Sequence, residues 1–182
     1  MDTRTFLLSA LAPKAQNGEF LVPGMSLYGD SIMFGGVADN LKFSLRMRFG
    51  PQNTIVVHDR SVPGDTARNG WRRFPHELRS TSTVVLEYGT NDISQEHDPL
   101  PYLERMARYA IKEGRVVVFT GIVQRALLAK TVYLTNQRIR ELARTLECGH
   151  AGWDKAEVHC PDGLHPDADG TRKLSDLLVP YF

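Results

Sequence analysis

The chain has 182 residues, of which 42% are hydrophobic and 24% charged, and its formal net charge is +1. That length suits one domain with a full hydrophobic core, and a charge so near zero excludes the broad positive field that nucleic-acid binding relies on. No apolar run approaches the roughly 20 residues that cross a bilayer, so no membrane span is expected.

At the N-terminus, Phe6-Leu7-Leu8-Ser9-Ala10-Leu11-Ala12 has the outline of a signal h-region ending in an Ala-x-Ala site. It is at the short limit, and Asp2 weakens the basic flank beside Arg4. We read residues 1–22 as an N-terminal arm or short helix packed on a domain spanning 23–182, with a cytoplasmic location preferred to secretion. Internal repeats, low-complexity tracts and linkers are absent from the sequence.

Strand-like and helix-like stretches then alternate. Met25-Ser26-Leu27-Tyr28 reads as a first strand leading into Gly29-Asp30-Ser31. Val37, Leu41 and Leu45 recur at helical spacing, and Gly50-Pro51 stops that segment. Thr54-Ile55-Val56-Val57 is a β-branched second strand. Residues 66–79 read as a helix that Pro75 should kink or divide. Thr83 to Tyr88 forms a third strand that delivers Gly89-Thr90-Asn91-Asp92 at its C-terminal end. Asp98-Pro99 has the look of an N-cap and first-turn proline, followed by an apolar face of Leu103, Met106, Ala107, Ala110 and Ile111. Val116-Val117-Val118-Phe119 is the continuous apolar run of a buried parallel strand. Ile139, Leu142, Ala143 and Leu146 mark another helix, a fifth strand is expected near Gly152-Trp153, and Leu174, Leu177 and Leu178 mark a closing helix.

This alternation predicts a three-layer α/β/α, flavodoxin-like domain around a central, mostly parallel five-stranded sheet. Ligands bind beyond the carboxyl ends of strands in such sheets. Ser31, Gly64 and Asn91 each follow a strand, so all three are expected on one rim.

Four blocks carry the chemistry: Gly29-Asp30-Ser31, Val62-Pro63-Gly64-Asp65-Thr66, Gly89-Thr90-Asn91-Asp92 and Asp162-Gly163-Leu164-His165-Pro166. Each has an ordinary structural explanation: Asp30 as a helix N-cap, Gly64 as a backbone requirement, Asn91 as an Asx-turn residue, and Pro161-Asp162-Gly163 as a turn before a surface histidine. Together, and in this order, the blocks resemble the SGNH (GDSL-type) hydrolases from Gly29 to His165. The resemblance implies a hydrolase of carboxylic esters, including short-chain acyl and carbohydrate O-acetyl esters, with no cofactor and no metal. It implies Ser31 as nucleophile, His165 as base, Asp162 as the residue that orients His165, and an oxyanion hole made by the Ser31 amide, the Gly64 amide and the Asn91 side chain.

The residue types suit those roles. A helix starting just after Ser31 would aim its dipole at a developing negative charge. Asn91 can donate without changing local charge, and Gly64 lets its N–H approach a ligand closely. Asp162 stands three residues before His165, and Gly163 permits the tight loop that aims the carboxylate at one imidazole nitrogen. The other five histidines, His58, His76, His97, His150 and His159, have no motif to recommend them. By resemblance, Asp92 braces its loop. Asp59 and Ser61 depart from the family pattern, which often has asparagine and glycine there, and these departures bear on loop packing.

Two further clusters have weaker readings. Arg60, Arg68, Arg72 and Arg73 fit a solvated helix face better than an anionic-substrate contact. Cys148 and Cys160 are open to a disulfide, worth about 3 kcal/mol on the chain-entropy model, or to two free thiols. With His150 and His159 they also raise a zinc site, although the spacing is not that of a zinc finger and His159 and Cys160 would point apart in an extended segment. The rival functions are an acyl thioesterase or lysophospholipase-type hydrolase of the same family, a non-catalytic binding module and a metal-dependent protein. The expected partner is a small-molecule or saccharide ester; the sequence leaves the oligomeric state open.

Overall fold

Residues 18, 20–52, 56–124 and 127–182 are described by the structure, a computed structural model. The signal-like stretch in the N-terminal arm and the start of the second predicted strand lie outside these residues.

Five strands form one sheet in the order β2-β1-β3-β4-β5, with β1 at Val22–Tyr28, β2 at Val56–Asp59, β3 at Thr81–Leu86, β4 at Val116–Phe119 and β5 at Gly149–His150. All four pairings are parallel. The helices are α1 at Gly36–Phe49, α2 at Ala67–Glu77, α3 at Thr90–Ser94, α4 at Leu100–Lys112, α5 at Ala129–Thr145 and α6 at Ala168–Asp176. The expected α/β/α architecture is therefore present, with a sheet parallel throughout.

Side chains alternate across the sheet, so each strand feeds two cores. Val84, Leu86, Val117 and Phe119 join Phe74 of α2, Leu103 of α4 and Ile139 of α5 on one face. Met25, Leu27, Val85 and Val118 join Leu41 and Leu45 of α1, Leu174 of α6 and the buried Trp153 on the other. A parallel sheet covered on both faces needs apolar residues at successive positions, which explains the unbroken runs in β3 and β4.

Several boundaries depart from the sequence expectation. β1 begins three residues before Met25 and β3 two before Thr83. Pro75 lies inside α2 without dividing it; it sits in the last turn, where only one intrahelical hydrogen bond is forfeited. The fifth strand is Gly149–His150, and Trp153–Lys155 is a 3₁₀ turn instead. Two residues give no periodic signal, which is why that strand was misplaced. The short α3 was not anticipated for the same reason.

The strand order reverses direction at β1, which sends the chain to β2 on one side and lies against β3 on the other. That reversal opens a crevice beyond the carboxyl ends of β1 and β3. The segments leaving those ends are Gly29-Asp30-Ser31 and Glu87 to Asn91, so the topology alone brings two of the four blocks together.

Tyr28, the last residue of β1, is buried against Phe74 with ring centroids 4.7 Å apart. Phe74→Ala is expected to cost about 3–5 kcal/mol, read as a lower urea midpoint, because the ring is fully buried between sheet and helix.

Candidate active site

Asp30 organises the turn after β1. Its Oδ1 accepts a hydrogen bond from the Ile32 amide at 2.9 Å, and the Phe34 amide donates to its carbonyl at 3.1 Å. These bonds wrap residues 30–34 into a single turn with Ser31 near its start. α1 begins only at Gly36, after Gly35 with φ 68°. No helix starts directly behind Ser31: an Asx-type turn takes its place, so no helix dipole is aimed there and Asp30 closes this turn instead of capping a helix.

Gly29 has no room for a side chain. A Cβ there would lie 2.6 Å from Glu87 Oε2 and 2.8 Å from the Glu87 carbonyl oxygen. Gly64 is required for the other reason, a φ of +78° in an open loop. That loop is tied to the serine turn by Asp59, whose Oδ2 accepts from the Gly35 amide at 2.8 Å and Oδ1 from the Ser61 amide at 2.9 Å. Val62 also donates to the Gly29 carbonyl at 3.0 Å. Asp59 therefore clamps two loops with its two oxygens.

Asn91 lies in α3, and its Nδ2 donates to Asp30 Oδ2 at 3.0 Å and to the Asp65 carbonyl at 2.9 Å. One amide thus joins the residue before Ser31 to the residue after Gly64. Asp92 faces away into the protein, where both its oxygens accept from the Ala67 amide at 3.1 and 3.0 Å. That matches the bracing role expected of it. Burial raises the Asp92 pKa above its ordinary value.

The Ser31 hydroxyl lies 2.9 Å from His165 Nε2, and His165 Nδ1 lies 2.7 Å from Asp162 Oδ2. The other Asp162 oxygen accepts from the Leu164 and His165 amides at 2.8 and 2.7 Å. Asp162 thereby holds both ring and backbone of His165, while Asp167 caps α6 behind the loop through the Gly170 amide at 2.8 Å. The hydrogen bond to the His165 ring, reinforced by the two amides, holds the Asp162 carboxyl well below the usual carboxylate range. With Nδ1–H engaged by an ionised Asp162, Nε2 is left as acceptor for the Ser31 hydroxyl. Asp162 and His165 are half exposed, with side-chain accessibilities of 56% and 44%, so the site opens to solvent.

All five residues named from the sequence therefore come to one rim. Ser31, His165 and Asp162 are joined by hydrogen bonds in series, and Asn91 connects the Ser31 and Gly64 loops. Asp59, Asp65 and Glu87 were not singled out for the site. Glu87 had a signal, an acid in the otherwise apolar run Val84-Val85-Leu86-Glu87-Tyr88.

The other clusters resolve differently. Arg73 is not part of a solvated face: it pairs with Asp65 at 2.5 Å and Glu77 at 2.6 Å. Cys148 and Cys160 are not joined in a disulfide. Among the described residues no group of three or more His, Cys, Asp or Glu is placed to hold a metal ion. His159 instead meets Asp167 at 3.0 Å, and His150 Nδ1 accepts from the Gly152 amide at 3.2 Å.

Residues 27–173 match the sequence profile of the GDSL-like Lipase/Acylhydrolase family. Among solved structures, TesA superposes with a TM-score of 0.72 at 24% identity, over 86% of this chain and 96% of its own. A lipase/acylhydrolase from Enterococcus faecalis gives 0.78 at 20% identity, over 88% and 95%. The acetyl xylan esterase AlAXEase gives 0.75 at 15% identity, over 87% and 98%. At these identities the likeness is one of fold. No curated protein sequence matches the chain significantly.

Gly29→Ala is expected to destabilise the protein by about 1–3 kcal/mol, because backbone of Glu87 must move to admit the methyl group. Gly64→Ala, with nothing within 4 Å of the new Cβ, should cost only the positive-φ strain of about 1–2 kcal/mol. Urea titrations of the two variants check both.

Proposed function

This chain belongs to the GDSL-like lipase/acylhydrolase family, whose members hydrolyse esters, and we propose that it is a serine esterase acting on short-chain carboxylic esters. The observation that carries this reading is the series Ser31 Oγ, His165 Nε2, His165 Nδ1, Asp162 Oδ2, spaced at 2.9 and 2.7 Å. It is the arrangement in which a hydroxyl loses its proton as it attacks.

In the proposed reaction, Ser31 Oγ attacks the acyl carbon while His165 Nε2 takes its proton. The tetrahedral oxyanion is held by the Ser31 and Gly64 amides and the Asn91 side chain. Among the described residues neither backbone N–H of that pair donates to another protein group, so both are available to a ligand. His165 returns the proton to the departing alcohol, then draws one from water as the acyl-serine is hydrolysed. Asp162 keeps His165 in the required tautomer and stabilises the imidazolium.

The substrate class follows from the openness of the site. A half-exposed His165 leaves space for a bulky alcohol, and the sequence has no long insertion to cover a long acyl chain. A small acyl group on a large alcohol, such as an acetylated saccharide, fits both features. The presence of an acetyl xylan esterase among the fold neighbours agrees with this choice.

Ser31→Ala is expected to remove turnover of p-nitrophenyl acetate while leaving the circular dichroism spectrum and urea midpoint near wild type; undiminished turnover refutes the assignment. Asp162→Asn should lower kcat by about 10²–10⁴-fold with a smaller change in KM. In a p-nitrophenyl ester series, activity should fall as the acyl chain lengthens, and an acetylated saccharide should release acetate. Higher activity on long chains, or on acyl-CoA in preference to oxygen esters, overturns the substrate class.

A further inference from the structure

Beneath the serine turn lies a second pair of acids that the reaction above does not use. Glu87, just past the end of β3, is 1% exposed, and Asp30 is fully buried. Glu87 Oε2 accepts from the Asp30 amide at 3.0 Å, which sets two buried carboxyl groups side by side. Two acids buried this close together do not both ionise at neutral pH, so one partner keeps a proton. The surroundings place it on Glu87. Asp30 accepts from the Ile32 amide and Asn91 Nδ2, two donors that favour its charged form. Among the described residues Glu87 has no ion pair to favour its own.

We propose that Glu87 is a positioning residue: it stays protonated, donates to the Asp30 carboxylate, and through Asp30 sets the orientation and donor strength of the Asn91 amide. The inference rests on the serine-esterase reading and adds a group to it.

The chain of effects is short. Asp30 Oδ2 holds one Asn91 proton and the Asp65 carbonyl the other, so the amide plane is fixed between two loops. An oxyanion must share a proton already given to Asp30. A hydrogen bond from neutral Glu87 withdraws charge from Asp30, weakens its hold on that proton and leaves one buried negative charge near the oxyanion, not two. Ionised Glu87 would reverse each of these.

The charges around the pair agree. Glu87 faces Asp30 on the serine turn, Asp92 on α3 and the adjacent Tyr88. Asp30 faces His165 from the last loop, and Tyr88 faces Asp65 and Arg73. Burial first, and then the Asp30 charge, lift the Glu87 pKa well above its ordinary value. Burial lifts Asp30 to about 6, which leaves it ionised at neutral pH.

A consequence for stability follows. The folded protein keeps a proton on Glu87 that the unfolded chain releases above about pH 4.3. The stabilisation linked to that proton is complete below this value and declines as pH rises toward the folded pKa.

Glu87→Gln and Glu87→Ala test the proposal, compared with wild type for kcat, KM and urea unfolding from about pH 5 to about pH 9. Glutamine supplies a neutral donor and an acceptor of nearly the same shape; alanine supplies neither. At neutral pH the glutamine variant should stay close to wild type, and the alanine variant should lose kcat by on the order of 10–10²-fold with KM little changed. Toward alkaline pH, wild-type kcat should fall below that of the glutamine variant. The wild-type folding constant should lose up to about tenfold per pH unit relative to that variant. Superimposable pH profiles of kcat and stability, or a folded glutamine variant as impaired as the alanine one, overturn the proposal. If the wild type cleaves no ester but the stability curves diverge as stated, the esterase reading fails while the proton on Glu87 stands.

Discussion

The side-chain amide of Asn91 gives one proton to the Asp30 carboxylate and the other to the Asp65 carbonyl. Because the amide is planar, satisfying both acceptors sets the spacing between the turn that carries Ser31 and the loop that carries Gly64. Three segments that follow β1, β2 and β3 are thereby held by one rigid group. The sheet order makes this possible: β1 lies between β2 and β3, so the three exits open side by side. Only the His165 loop arrives from elsewhere, and it is carried to the same rim by α6 packing against α1.

Electrostatically the site has two sides. Toward solvent, Asp162 and His165 form a half-exposed pair whose geometry is set by bonds inside a four-residue loop. Toward the core, Asp30, Glu87 and Asp92 are buried, an arrangement that costs free energy unless each charge is shared or satisfied. Asp92 meets that demand through the Ala67 amide, and Asp65 through Arg73. Asp30 meets it through the Ile32 amide and Asn91. Asp30, Asp65 and Asp92 are thus spent on holding backbone and side-chain donors in place, and the solvent side is left with the hydrogen-bonded series Ser31, His165 and Asp162.

Much of the fold was legible in local pattern. Apolar runs marked β3 and β4, and helical spacing marked α1, α4 and α5, because burial imposes those periods directly. Elements too short to show a period were not: α3, which carries Asn91, and the two-residue β5 gave no signal. The shape of the turn between Ser31 and α1 is not legible either, because the helical spacing beginning at Val37 does not reveal that Gly35 takes a positive φ. Arg73 was grouped with exposed arginines, since nothing in its neighbourhood along the chain discloses Asp65 as partner.

The primary structure by itself determined the alternation of strands and helices, the order of the four residue blocks, and the local aim of Asp162 at His165 three positions away. These are short-range matters, decided by steric period, by turn chemistry and by the reach of one side chain. Tertiary structure decided everything that depends on separation through space. It alone sets the 2.9 Å from Ser31 to a histidine 134 residues later, the bridging of two loops by Asn91, and the contact between Asp30 and Glu87. Such contacts arise from strand order and helix packing, and pairing of distant segments leaves no mark in the pattern of either segment alone.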